Sequence, residues 1–169
     1  MPRYRIVDRF DTSPAHYWHV FFDPDFNAGL YQALEIEFEL LELTREGAGE
    51  SETVLRRARL APRRELPAVL RKFVNNAVSY EQRERLIARD NRMEVETIPN
   101  YLTDRFVSKG IYSLAPTTDG VERTWQGECA CKVPLVGGTI AKLVVEEVER
   151  SYRTTTQFTR EWLANHPPE

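Results

Sequence analysis

Cysteine is scarce in this chain and badly placed for cross-linking. The 169 residues hold two, Cys129 and Cys131, in the strand-like run Gly127-Glu128-Cys129-Ala130-Cys131. Residues two apart on a strand face the same way but diverge, which argues against a mutual disulfide, and the pair reads as small buried hydrophobes. A Cys-x-Cys pair also supplies half of a metal site. The three histidines, His16, His19 and His166, lie far off in sequence, however, and no second cysteine pair exists, so no metal is expected. Long apolar runs are missing as well. No stretch approaches the roughly 18 residues of a membrane span, and Met1-Pro2-Arg3-Tyr4-Arg5-Ile6 lacks the apolar core of a signal peptide. A cytoplasmic location with reduced thiols is the expectation. Charge of one sign is lacking too: the net of −3 gives no general pull toward nucleic acid. There is no Gly-rich phosphate loop after a strand and no paired-carboxylate motif, hence no catalytic signature and no implied cofactor.

What is present suits one globular domain spanning 1–169. Hydrophobic residues make up 41% and charged residues 29%, too apolar for disorder, and the length buries enough surface to need no staple. The longest pattern is Ile140 to Leu163. Ile140, Leu143, Val144, Val148, Tyr152, Thr155, Phe158, Thr159 and Trp162 recur at spacings of three and four and form one stripe of an amphipathic helix. Pro134 and Gly137-Gly138 break the chain before it, Thr139 is placed to cap its first turn, and Asn165 with Pro167-Pro168 ends it. Such a helix is roughly 37 Å long, enough to lie across a small domain.

Almost everything before it reads as strand. Arg3 to Phe10 alternates, with Tyr4, Ile6, Asp8 and Phe10 on one face. Asp11, Thr12 or Ser13 caps a short aromatic helix, Pro14 to Phe22, and Asp23-Pro24-Asp25 starts a second, reaching about Ala33. Glu35 to Leu43 alternates but changes phase near Leu41, which predicts a bulge. Strands follow at Thr53–Leu60, Val78–Arg89, Met93–Ile98, Arg105–Leu114 and Val121–Val133, with turns between them. The segment 61–76 is different: Pro62 and Pro67 interrupt it, Leu66, Val69, Leu70, Phe73 and Val74 make a small helical face, and arginines surround it. A connection this long suggests a lid or docking element. The total is α+β: a seven-stranded, strongly curved antiparallel sheet with two short helices after the first strand and one long C-terminal helix. A curved sheet closing on one helix either packs large side chains inside or leaves a cavity.

Several residues have two readings. On the last strand Trp125, Gly127, Cys129, Cys131 and Val133 share one face, either lining a pocket or packing as core beneath the helix. On the preceding strand Phe106, Ser108, Gly110, Tyr112 and Leu114 alternate with Arg105, Val107, Lys109, Ile111 and Ser113, and neither set is uniformly apolar. With the first set inward, Ser108 and Tyr112 offer a pocket polar contacts; otherwise their hydroxyls are satisfied locally. The helix carrying Tyr17, Trp18, Phe21 and Phe22 covers a pocket or is plain core. His16 and His19 are near neighbours, suited to acid–base work or simply surface imidazoles. Arg63, Arg64, Arg71 and Lys72 around Leu70 fit an interfacial helix on an anionic membrane, or a solvated basic face paired with glutamates.

The order of elements resembles the helix-grip fold of the START and polyketide-cyclase-like (SRPBCC) superfamily over essentially the whole chain. The junction Val133-Pro134-Leu135-Val136-Gly137-Gly138 into Ile140-Ala141-Lys142-Leu143, followed by Phe158-Thr159-Arg160-Glu161-Trp162-Leu163, looks like the C-terminal end of a bacterial branch of it. The resemblance implies a cavity between helix and sheet for an apolar, lipid-like ligand, without nucleic acid. Its lining would come from Trp125, Gly127, Cys129 and Cys131, from Phe106, Ser108 and Tyr112, and from Leu143 on the helix, with Phe73 and Tyr101 near the mouth. The 61–76 segment, Tyr101-Leu102 and Leu135-Val136 would surround that mouth. A non-enzymatic binding or transfer protein is the leading expectation. The alternatives are a cyclase- or dehydratase-type enzyme using Tyr112, Ser108 or His19, and an interaction module with a solid core.

Overall fold

In a computed structural model of the chain, the described residues are 1–63, 65, 68–72 and 78–169, without the side chains at 69 and 70. The first strand, β1 (Arg3–Phe10), leads into α1 (Pro14–Phe21) and α2 (Pro24–Ala33). Both helices begin with proline at the first position, where its missing N–H costs nothing. Of the three candidate caps before α1 it is Ser13 whose Oγ accepts from the His16 N–H, at 3.2 Å. Asp23 Oδ1 caps α2, accepting from the Asp25 and Phe26 N–H groups at 2.8 and 3.0 Å.

Six strands follow: β2 (Ile36–Glu46), β3 (Thr53–Pro62), β4 (Tyr80–Ile87), β5 (Arg92–Pro99), β6 (Phe106–Thr117) and β7 (Gly120–Cys131). Between β3 and β4 lies α3 (Ala68–Arg71); it falls within the predicted helix of 66–74, and Arg64, Leu66, Phe73, Val74 and the Leu70 side chain lie outside the described residues. All pairings are antiparallel, in the order β1-β7-β6-β5-β4-β3-β2. The register shifts between Leu40 and Glu42, placing the expected bulge at Leu41. The sheet does not close on itself: β1 and β2 are its two edges, and α1 with α2 bridges them.

The long helix α4 runs from Gly137 to Asn165, starting three residues before Ile140. Val136 is its N-cap without a side-chain bond, so Thr139 sits in the first turn rather than capping it. The early start is set by Gly137, whose N–H donates to the Val133 carbonyl at 2.8 Å and whose missing Cβ would collide with the Cys131 carbonyl. The buried stripe is also rotated by about one position from the predicted one. Ile140, Ala141, Val145, Thr155, Thr156, Thr159 and Leu163 are buried, whereas Leu143, Val144 and Trp162 lie half-buried on its flank. Small residues bring α4 close to β7 and β1, its main partners in the sheet. Thr155 and Thr159 satisfy their hydroxyls by donating to the carbonyls of Ser151 and Thr155, at 3.0 and 2.7 Å. No helix among the described residues is long and apolar enough to cross a membrane.

Candidate functional site

Side chains two apart on a strand share a face, so the registers define rows running across the inner face of the sheet. One row reads Tyr4, Gly127, Gly110, Val95, Glu84, Arg56 from β1 to β3. The next reads Cys129, Ser108, Thr97, Gln82, Ala58. Beyond it Tyr80 pairs with Leu60 and Pro99. The middle row is short and hydroxyl-rich. Thr97 and Gln82, at the centre of a seven-stranded sheet, are nevertheless only half-buried.

The β1–β7–β6 side of this face is filled. The Trp125 ring stacks on Tyr112, centroids 4.2 Å apart at 15°, with Tyr4 at 5.2 Å and Tyr152 of α4 at 6.0 Å. Glycine at 110 and 127 makes this possible: a Cβ on Gly110 would strike the Trp125 ring, and one on Gly127 would strike the Tyr4 hydroxyl. The space over Gly127 is thus taken by Tyr4. The Trp125 Nε1 is buried without a hydrogen-bond partner.

Two arginines are buried on the same face. Arg123 donates to Asp8 Oδ2 at 2.7 Å, to Thr156 Oγ1 at 2.8 Å and to the Tyr17 hydroxyl at 3.2 Å, tying together β7, β1, α4 and α1. Arg56 meets Glu84 through two bonds, Nε to Oε2 at 2.6 Å and Nη2 to Oε1 at 3.0 Å. It also donates to Asn27 Oδ1 at 3.3 Å, and Phe21 and Phe22 flank its guanidinium at 4.9 and 5.0 Å. Burial alone would lower the Arg56 pKa, and the neighbouring Glu84 carboxylate more than reverses this. Neither pair belongs to the basic surface that the arginine-rich sequence suggests. The signal was present in the alternation: Asp8 shares its phase with Tyr4 and Phe10, Arg123 with Trp125 and Cys129, and Arg56 with Val54, Ala58 and Leu60.

Several phenols and one thiol around this face are held protonated by burial. Burial pushes the Tyr31 phenol up to about 12, an effect that Arg56 moderates and Glu84 reinforces. Burial likewise raises Tyr80, helped by Tyr31, Glu147 and Tyr101, and raises Tyr112 well above the usual range against the pull of Arg123. Tyr31, Tyr80 and Tyr101 keep accessible surface all the same. The Cys129 thiol is pushed up by burial and accepts or donates a contact of 3.5 Å with Ser108 Oγ. These groups are protonated at neutral pH, hence hydrogen-bond donors rather than bases or nucleophiles.

Of the sequence-predicted lining, Trp125, Cys129, Ser108 and Tyr112 are buried on the inner face, and Phe106, Cys131, Tyr101 and Leu143 are half-buried. The first set on β6 therefore faces inward. Phe73 lies outside the described residues. Among the docking residues, Arg63 pairs with Glu37 at 3.5 Å and Arg71 with Glu65 at 3.3 Å, Lys72 is exposed, and Arg64 and the Leu70 side chain are not described. His16 and His19 stack on the surface of α1, 6.2 Å apart, with His16 Nε2 bonded to the His166 carbonyl at 2.9 Å. Two hollows lie elsewhere: a trough of about 930 Å³ across the outer face of the sheet, and a groove of about 660 Å³ between α2 and β2, lined by Phe22, Tyr31, Phe38, Leu40 and Leu43 with Arg56 among its walls. No cluster of metal-ligating side chains occurs among the described residues.

Residues 6–163 match the model of a family described as "Protein of unknown function (DUF2505)". No curated protein matches the chain. Solved structures share its fold from end to end. The protein TTHA0849 from Thermus thermophilus is 18% identical with a TM-score of 0.67, over 99% of this chain and 100% of its own. The Zhui aromatase/cyclase from Streptomyces sp. R1128 is 12% identical with a TM-score of 0.64, over 95% and 92%. A START superfamily protein from Mycobacterium smegmatis is 13% identical with a TM-score of 0.60, over 95% and 98%. At these identities the likeness establishes the helix-grip fold.

Proposed function

This chain belongs to the DUF2505 family of proteins of unknown function, and we propose that it binds a hydrophobic, lipid-sized small molecule between the inner face of β3–β6 and α4. The observation that carries this reading is the middle row of the sheet. Residues at the centre of a seven-stranded sheet are normally covered, yet Thr97 and Gln82 are half-buried, and Tyr80 keeps accessible surface although burial raises its phenol. Deep side chains with accessible surface face unfilled space. The helix that grips the sheet packs mainly on β7 and β1, leaving the β3–β5 side as the basin. Apolar contact would supply affinity at about 0.8 kcal/mol per buried methylene, and the hydroxyls of Ser108, Thr97 and Tyr80 would orient a polar end.

A second reading, a cyclase-type enzyme on the same fold, draws on the Zhui aromatase/cyclase likeness. Raised phenols and a raised thiol favour binding over it, since proton abstraction needs a group that ionises near neutral pH.

Native mass spectrometry of freshly purified protein, followed by organic extraction, tests the proposal. A lipid-sized mass lost on extraction, and absent from Thr97→Phe protein of unchanged melting temperature, is the expected result. A clean apo mass with no thermal shift on adding fatty acids, phospholipids or sterols overturns it.

A further inference from the structure

The strand ends nearest the basin share one end of the molecule. There the β5–β6 loop (100–105) and the β7–α4 turn (132–136) lie side by side, joined by a 2.7 Å bond from the Lys132 N–H to the Arg105 carbonyl. Leu135 at the tip of the turn is fully exposed, the most exposed large apolar residue among those described. Its φ is +70°, a left-handed backbone that leucine rarely adopts. Leu102 in the neighbouring loop has φ +51° and is half-exposed. Neither exposure reflects a loose flap. The turn is clamped by buried Val133 and Gly137, linked by the 2.8 Å Gly137 N–H to Val133 carbonyl bond, and the Arg105 N–H closes the other loop on the Leu102 carbonyl at 2.9 Å. A strained backbone that holds an apolar side chain in water at a fixed place is at home where water is replaced by something apolar.

The surroundings decide what that is. Lys132 and Arg105 are exposed in these loops, against the single carboxylate of Asp104, and Lys142 is exposed on the second turn of α4, ahead of Glu146 and Glu147. One protruding leucine on a rigid turn within a cationic collar suits insertion into a lipid interface and not a flat protein contact, which would need a broader apolar patch. We propose that this end of the molecule docks on an anionic bilayer, with Leu135 entering the acyl boundary and Lys132, Lys142 and Arg105 meeting the headgroups. The face is centred on the β7–α4 turn and not on the arginine-rich connection, where Arg63 and Arg71 already hold glutamates. Docking needs no bound ligand, so it stands or falls apart from the basin.

Co-sedimentation with vesicles of phosphatidylcholine and phosphatidylserine, alongside pure phosphatidylcholine vesicles, is the test. Wild-type protein should bind the anionic vesicles preferentially. Leu135→Asp, an exposed site whose change leaves the fold intact by circular dichroism, should weaken binding at least about tenfold. Lys132→Glu and Lys142→Glu should each weaken it by about fivefold or more, the effect fading in high salt. Absence of binding to the anionic vesicles, or binding that Leu135→Asp leaves unchanged, overturns the proposal. So does a wild-type dimer in sedimentation velocity that Leu135→Asp converts to monomer without any vesicle binding, which would assign the face to a second copy of the chain.

Discussion

Arg56 and Arg57 are neighbours on one strand, each paired with glutamate, and they lead opposite lives. Arg56 points inward, its side chain 3% exposed, and meets Glu84, 5% exposed. Arg57 points outward, 43% exposed, and reaches Glu81 at 2.8 Å and Glu42 at 3.1 Å. Around Arg57 the outer face carries a row of charges from edge to edge: Arg3, Glu128, Lys109, Glu96, Arg83, Arg57, Glu42. Signs alternate except at Arg83 and Arg57, and Glu81 bonds both of these at 2.8 Å. In water such pairs are screened and replaceable. Inside, a charge stripped of its hydration depends on its one partner. The same chemical pair is thus ornament on one face and necessity on the other, and the face is decided by strand phase alone.

The contrast is open to direct attack. The largest loss is expected for Arg56→Ala, about 3–5 kcal/mol in urea unfolding, because Glu84 is left buried and unpaired. Replacing both partners, Arg56→Met with Glu84→Leu, should restore most of that; a double variant as unstable as the single one would show that Arg56 matters for its contacts with Asn27 and the phenylalanines instead. Gly110→Ala should cost about 1–3 kcal/mol, since its Cβ would strike a Trp125 ring held on both sides. Alkaline titration comes next. An unfolded tyrosine ionises near pH 10, whereas Tyr31 in the fold is pushed up to about 12. The folded protein therefore holds its proton more tightly, so its stabilising contribution is full below pH 10 and is lost as the pH climbs toward 12. Urea unfolding followed between pH 10 and 12 should show Tyr31→Phe protein losing less stability across that window than wild type. Smallest of all, Arg57→Ala should leave the urea midpoint unchanged within measurement error; a clear shift would mean that the outer ladder acts as a network.

Much of the architecture could be read from the residue pattern. Every strand could be placed, the first and second by clean alternation and several others as runs between turns, the bulge near Leu41 as a change of phase, and the first two helices from Pro14, Pro24 and their caps. The start of α4 was not, because it depends on Gly137 meeting the Cys131 carbonyl, a contact made only once β7 and the helix are in place. The helix stripe came out rotated since hydrophobicity favours Leu143 and Trp162, while close approach favours Ala141 and Thr156. For the candidate site, the inward face of β7 followed from Trp125 and Cys129, whereas that of β6 stayed open, because neither of its two faces is uniformly apolar. The charged pairs did not, because arginines at 56, 57 and 59 look alike until phase is weighed above charge. Tyr31 and Tyr80 come from distant segments, and nothing local marks them as neighbours.

The two edges of the sheet are consecutive strands in the chain, separated only by α1 and α2. Those helices act as a buckle on an otherwise unfastened belt. They are secured by buried Tyr17, Trp18, Val20, Phe22, Phe26 and Leu30, by the Tyr17 hydroxyl accepting from Arg123 at 3.2 Å and Trp18 Nε1 donating to Asn91 Oδ1 at 3.3 Å, and by Arg56 beneath. Loosening the buckle would let the girth of the molecule grow without parting any strand from its neighbour.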